Sequence, residues 1–146
     1  MRKIAILTLL VLPMAAWADI SGTTSISSGQ SFNLDTGTAG TSGDFTWSGS
    51  SLTLQGGALG GAFPGGGGQS TYDVLTQSLI QQVAVLFSSA PIPTSADAVI
   101  VFKSRGGNFA KILVTLQSGS SLTFKYTTYG VSSGGGPTAP TISFVK

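Results

Sequence analysis

Residues 98–129 read AVIVFKSRGGNFAKILVTLQSGSSLTFKYTTY, and the fold turns on them. Two turn signals, Gly106-Gly107-Asn108 and Ser118-Gly119-Ser120, divide the stretch into three alternating apolar runs, the pattern of a β-meander. Side-chain faces fix the register, because a slip of one residue exchanges them. Three-residue loops with Gly at positive φ oppose Phe102 to Ile112, Ile100 to Val114, Val114 to Phe124 and Leu116 to Leu122. One face then carries Ile100, Phe102, Ile112, Val114, Leu116, Leu122, Phe124 and Tyr126. Two-residue loops would mix these residues with lysines.

The other face carries Val99, Val101, Lys103, Lys111, Leu113, Thr115, Thr123, Lys125, Thr127 and Tyr129. This register sets Lys103 against Lys111, although like charges directly opposed cost a sheet up to about 1 kcal/mol. Lys125 lies one strand further across. Lys103, Lys111 and Lys125 are therefore candidates for binding an anionic group such as an acidic polysaccharide. The competing reading is a solvated sheet face kept soluble by its lysines or neutralised by Asp73 or Asp97.

Upstream, Leu79, Ile80, Val83 and Phe87 form an apolar stripe over Thr76 to Phe87, which predicts one short helix packed on the sheet. Thr76 or Asp73 can cap its start, and the Ser-Ser-Ala-Pro-Ile-Pro run from Ser88 ends it. Shorter strands are expected at Gln30 to Leu34, Asp44 to Trp47 and Ser51 to Leu54. Gly56 to Gly68 holds eight glycines in thirteen residues and reads as a flexible surface loop. A phosphate-binding loop would need a Lys-Ser/Thr pair opening a helix; here Gln69-Ser70 follows.

The first residues read as an address. Arg2 and Lys3 precede the apolar run Ile4 to Leu12, and Ala16-Trp17-Ala18 fits a small-x-small cleavage pattern, so residues 1–18 are expected to be a secretory signal peptide. Pro13 and the polar stretch after Asp19 stop the run short of the roughly 20 residues a spanning helix needs, so no transmembrane segment is expected in the mature chain. The β-rich domain is expected over 19–130, with a Gly/Ser/Pro linker over 131–140 and a terminal strand over 141–146. That terminal strand, Thr141 to Lys146, could pair at home or with another molecule by strand addition, a route to self-association. Export leaves the protein secreted, periplasmic or on the cell surface.

Composition narrows the chemistry. The 146 residues include no His and no Cys, all five acidic residues are Asp, and only 8% of the chain is charged. Imidazole-dependent nucleophilic sites, His/Cys metal sites and disulfide scaffolds are thereby removed, and no cofactor is expected. Without residues 1–18, the basic residues Lys103, Arg105, Lys111, Lys125 and Lys146 match the five Asp. A neutral chain lacks the field that draws proteins to nucleic acid.

One catalytic-looking motif remains. Asp35-Thr36-Gly37 resembles the Asp-Thr-Gly of aspartic proteases, whose single-copy forms act as homodimers with two carboxylates sharing a proton. The family's second signature has no clean counterpart, and the alternative is a turn with Gly37 relieving φ. Asp35 and Asp44 could also suggest a calcium loop, but further carboxylates are lacking. Trp47, Tyr72, Tyr126 and Tyr129 could stack on sugar rings, although Trp47 alternating with Phe45 also fits a core.

Several segments together resemble a recurring secreted bacterial β-rich module of uncharacterised function. They are Phe32 to Thr38, Asp44 to Trp47, Gly57-Ala58, Leu79 to Gln81, Ala90 to Ile92, Val101-Phe102, Gly107 to Val114, and Tyr126 to Tyr129. The resemblance implies export and a compact β unit and brings no catalytic residues. The fold expected is mainly β: an antiparallel sheet or sandwich with a C-terminal meander and one short helix. The function expected is a non-catalytic structural or interaction module contacting extracellular glycans or other surface proteins. A carbohydrate-binding module and, behind it, a dimeric protease through Asp35 are the alternatives.

Overall fold

The computed structural model describes residues 17–64 and 67–132. Its strands form two five-stranded antiparallel sheets. The larger sheet has the order β1-β10-β9-β8-β6, from β1 (Trp17–Ser27), β6 (Leu59–Ala62), β8 (Val99–Lys103), β9 (Phe109–Gln117) and β10 (Ser121–Ser132). The smaller has the order β3-β2-β4-β5-β7, from β2 (Ser31–Asn33), β3 (Thr38–Gly40), β4 (Phe45–Trp47), β5 (Ser51–Leu54) and β7 (Ile92–Pro93). Two short helices, α1 (Gln69–Val74) and α2 (Gln77–Val83), lead into a 3₁₀ turn at Ala84–Leu86.

The inner faces of the two sheets meet in one core. Phe32, Leu34, Phe45, Trp47 and Leu52 pack on Ile100, Phe102, Ile112, Val114, Phe124 and Tyr126. Phe45 stacks on Phe102 with ring centres 5.5 Å apart, and Phe32 meets Phe124 edge-on at 5.0 Å, geometries that aromatic quadrupoles favour. The meander is present, and seven of the eight side chains expected on its inner face lie in this core. α1 and α2 then cover the outer face of the larger sheet, where Tyr72, Leu75 and Ile80 pack against Val99, Val101 and Leu113. The chain is thus a sandwich with a helical third layer, a common way to bury a second apolar face.

Several expectations need correction. The first hairpin has a three-residue loop, but Ser104 and Asn108 close it, so it lies one residue earlier, over Arg105–Gly107. Gly107 takes φ 88° there. The shift slides the register by two residues, opposing Lys103 to Phe109 and Lys111 to Val101. A two-residue slide preserves the faces and separates the two lysines. In the second hairpin Ser118 and Ser121 face each other across a two-residue turn. An irregularity between Thr123 and Phe124 restores the expected pairing of Phe124 with Val114. Beyond that bulge Leu116 points outward, 62% exposed, instead of into the core, as expected where a bulge re-aims a strand.

The helical region and the glycine stretch also differ. Thr76 does cap α2, accepting from the Leu79 amide, but the helix stops at Val83, and a second helix, α1, precedes it. The Gly56 to Gly68 stretch contains a strand rather than only loop: β6 pairs with β8. The described part of β1 runs over Trp17–Ser27, and cleavage after Ala18 would take Trp17 and Ala18 from it, ahead of the irregularity between Ala18 and Ile20. β10 continues through Ser132, two residues into the expected linker. The rest of that linker and the strand expected over Thr141 to Lys146 lie outside the described residues.

Candidate functional site

The outer face of the meander concentrates the expected site residues, and α1 makes them internal. Tyr72 lies on the face of α1 that packs on the sheet. Its hydroxyl hydrogen-bonds the Thr127 hydroxyl at 2.8 Å. Lys111, on β9, reaches under the same helix and is 5% exposed. Its ammonium donates to the carbonyl oxygens of Tyr72 at 2.6 Å and Leu75 at 2.7 Å. Tyr129 donates its hydroxyl to the same Leu75 oxygen at 2.7 Å.

These carbonyls belong to the C-terminal end of α1, where helix acceptors lack intrahelical partners and the dipole favours a cation. α1 has no basic residue in its own last turn; β9 supplies one from beneath. Aromatic faces complete the cage. The Lys111 Nζ lies 4.3 Å from the Tyr72 ring centre and 5.6 Å from that of Tyr129, and the Lys125 Nζ lies 5.0 Å from the Tyr72 ring. Such placements let ring quadrupoles offset part of the ammonium's lost hydration.

Titration follows this environment. Burial pushes the Lys111 ammonium below its ordinary value of 10.5; nearby Asp73 opposes the shift and Lys125 adds to it. Burial pushes the Tyr72 hydroxyl up to about 12, against its hydrogen bond with Thr127. Tyr129 is raised as well, mainly by burial and then by Asp19.

The expected site residues therefore separate. Lys111, Lys125 and Tyr129 come together around Tyr72, which sequence reasoning weighed only as a possible sugar-stacking aromatic. Lys103 is exposed and pairs with Leu59 and Phe109 at the other end of the face. Trp47 is wholly enclosed in the core, its indole N–H 3.4 Å from the Thr94 hydroxyl, and offers no surface to a ligand.

The Asp-Thr-Gly segment builds a joint between the sheets. Asn33 Oδ1 accepts from the amides of Asp35 and Thr36, and Gly37 takes φ 67°, so the turn is held by Asn33. The Asp35 carboxylate reaches across to the β8–β9 loop. It accepts from the Ser104 hydroxyl at 2.7 Å, the Asn108 side-chain amide at 2.9 Å and the Gly106 amide at 3.2 Å. A Cβ on Gly106 would collide with this carboxylate.

Asp44 does the same from the buried side, accepting from the amides of Leu34 and Arg105, each at 2.7 Å. Burial raises its pKa above the ordinary 3.8; the two amides oppose that, and Asp35 adds to it. Both carboxylates are thus engaged by donors of their own chain, and no group of three or more metal-ligating acidic, His or Cys residues occurs among the described residues.

The helical region also turns apolar side chains outward. Val85 and Leu86, on the 3₁₀ turn after α2, are 86% and 70% exposed, with Val74 and Leu79 exposed nearby on the helices. Beside them a recess of about 160 Å3 is lined by Ala62, Pro64, Val83, Leu86, Phe87 and Val101. That is smaller than the roughly 300–1,000 Å3 of sites for drug-sized ligands, and suits a single inserted side chain. No described helix is long and apolar enough to cross a membrane. Comparison of the chain with protein-family models, with curated proteins and with solved structures finds no match.

Proposed function

We propose that the chain is an exported, non-catalytic module that contacts other macromolecules at the cell surface or in the surrounding matrix. The supporting observation is the exposed pair Val85 and Leu86 beside a shallow apolar recess, since apolar surface of this kind marks interaction sites more often than catalytic ones. The carboxylates that could support acid–base chemistry, Asp35 and Asp44, are saturated by internal donors. Retention of the purified protein on intact producing cells, compared with a Val85→Asp/Leu86→Asp double variant, tests the reading. The wild type should be retained and the variant several-fold less so, with unchanged melting. Proteolysis at acid pH that disappears in Asp35→Asn would overturn the reading in favour of a protease.

Glycan binding is the second reading. It is supported by the half-exposed Lys125 and Tyr129, beside the hydroxyls of Thr23 and Thr127. Glycan affinity lost on Lys125→Ala, with the Val85/Leu86 variant unaffected, would favour it.

A further inference from the structure

Four strands end the two sheets, and three of them discourage an added strand. β6 has four residues, β3 three, and β7 only Ile92 and Pro93, so shortness or proline protects each edge. β1 has neither protection. It is 11 residues long, contains no Pro, Lys or Arg, and carries one charge, Asp19. From Ile20 to Ser27 its register with β10 is unbroken, which leaves a straight edge. Among the described residues β10 is its only neighbour, so alternate amides and carbonyls of β1 point away from the sheet.

We propose that β1 pairs antiparallel with β1 of a second copy, across a twofold axis at Thr23, joining the two larger sheets edge to edge. A twofold interface must be self-complementary, and the sequence Asp19 to Ser27 is. With the axis at Thr23, the outer face matches Thr23 to itself, Ser21 to Ser25 and Asp19 to Ser27 of the second copy. No like charges meet. The existing contact between the Ser25 and Thr123 hydroxyls, at 2.7 Å, then continues into a hydroxyl row across the joint, and such cross-strand pairs stabilise sheets. On the inner face Ile20, only partly covered in the single chain, lies opposite Ile26 of the second copy, which is already buried in its own core. An axis at Thr24 would oppose Ile20 to Ser28, beyond the end of β1, and shorten the paired stretch to Ser21–Ser27.

Strand pairing over this length falls short of the roughly 1,200–2,000 Å2 of a standard interface, so the dimer is weak and concentration-dependent. Edge pairing needs neither a ligand nor export, and this inference stands apart from the proposed function.

Sedimentation velocity from about 10 μM to about 1 mM, a range that brackets weak association, tests it together with single-cysteine variants. The chain has no cysteine of its own. The wild type should shift from monomer to dimer. Thr23→Glu sets two carboxylates face to face across the axis while standing opposite Lys125 within its own sheet, and should weaken the dimer at least about tenfold with melting not lowered. Thr23→Cys should oxidise to a disulfide-linked dimer, because directly opposed strand residues lie within disulfide reach. Thr53→Cys, exposed on the smaller sheet, should not. A wild type that stays monomeric, or Thr23→Cys linking no faster than Thr53→Cys, overturns the inference. So does an assembly that survives Thr23→Glu but vanishes when the chain ends at Ser132, which would make Thr141 to Lys146 the added strand.

Discussion

The Lys111 ammonium lies 4.3 Å from the Tyr72 ring centre while donating at 2.6 Å to the carbonyl oxygen of the same residue. One cation thus holds both the side chain and the backbone of the last turn of α1. A six-residue helix has little stability alone, since nucleation costs more than so few hydrogen bonds return. Its order rests on docking. We expect Lys111→Met, which keeps the bulk and removes the donors, to destabilise the fold by about 1–3 kcal/mol. Relief from burying a charge offsets part of the loss. Urea unfolding measures the total, and amide exchange should show faster opening at Tyr72 and Leu75 before the sheet is affected. A neutral or stabilising Lys111→Met would mean that the ammonium is tolerated there and not needed.

Alkaline pH should separate the two partners of this contact. The Lys111 pKa is depressed below 10.5 in the folded chain, so the unfolded chain holds more protons in the interval between. Its contribution to stability is fully present above 10.5 and lost as pH falls through the folded value. Tyr72 runs the opposite way. Raised from 10.0 to about 12, it contributes stability that is present below 10 and lost as pH rises through about 12. Lys111→Met should therefore flatten the rise in stability that ends at 10.5, and Tyr72→Phe the fall between 10 and about 12. Tyrosinate absorbance offers an independent check, with the late-titrating component missing from Tyr72→Phe.

Asp44 should matter more than Asp35, although both grip the same loop. Asp44 is fully enclosed and satisfies two backbone amides, those of Leu34 and Arg105, both of which lose their acceptor when it is removed. We expect Asp44→Ala to cost about 2–4 kcal/mol, and Asp35→Ala, at the more exposed rim, about 1–2 kcal/mol. The raised pKa of Asp44 means that its contribution is present below 3.8 and lost as pH rises through the folded value. Asp44→Ala should remove that dependence, and Asp35→Ala, which takes away a charge that adds to the shift, should only reduce it. Equal losses from the two alanine variants would refute this division of roles.

Local pattern was legible in the sequence where both faces of a strand are decided by packing. Alternation placed Ile100, Phe102, Ile112, Val114, Phe124 and Tyr126 on one face, and they share the core. β2, β4 and β5 fall within or on the expected stretches. β1 was hidden because an edge strand turns only a few side chains inward; its core residues, Ile20 and Ile26, are separated by Ser, Gly and Thr. Leu116 was misplaced because a bulge leaves no mark in the alternation. The site failed for a different reason. Lys111 bonds to residues 36 and 39 positions earlier, and Asp44 to an amide 61 positions later. A side chain that satisfies a distant backbone group carries no periodicity, so three lysines on one face looked like an open site when α1 covers one of them.

The glycine stretch offers the sharpest separation of requirement from mere composition. Gly60 and Gly61 are neighbours in β6, yet their surroundings differ. A Cβ on Gly60 would lie 2.8 Å from Phe102 Cδ1 and 2.9 Å from the Val101 carbonyl oxygen, whereas one on Gly61 would meet nothing within 4 Å. The Val101 oxygen is backbone in a paired strand and cannot swing aside, so Gly60→Ala must push β6 off β8 or displace a ring stacked on Phe45. We expect it to cost about 1–3 kcal/mol, the usual range for overpacking. Gly61→Ala should be neutral or stabilise by up to about 1 kcal/mol, because alanine restricts the unfolded chain more than glycine does. Thermal melting of the two variants decides the matter. If both are tolerated alike, β6 does not press on Phe102, and the glycines there serve as spacer instead of fit.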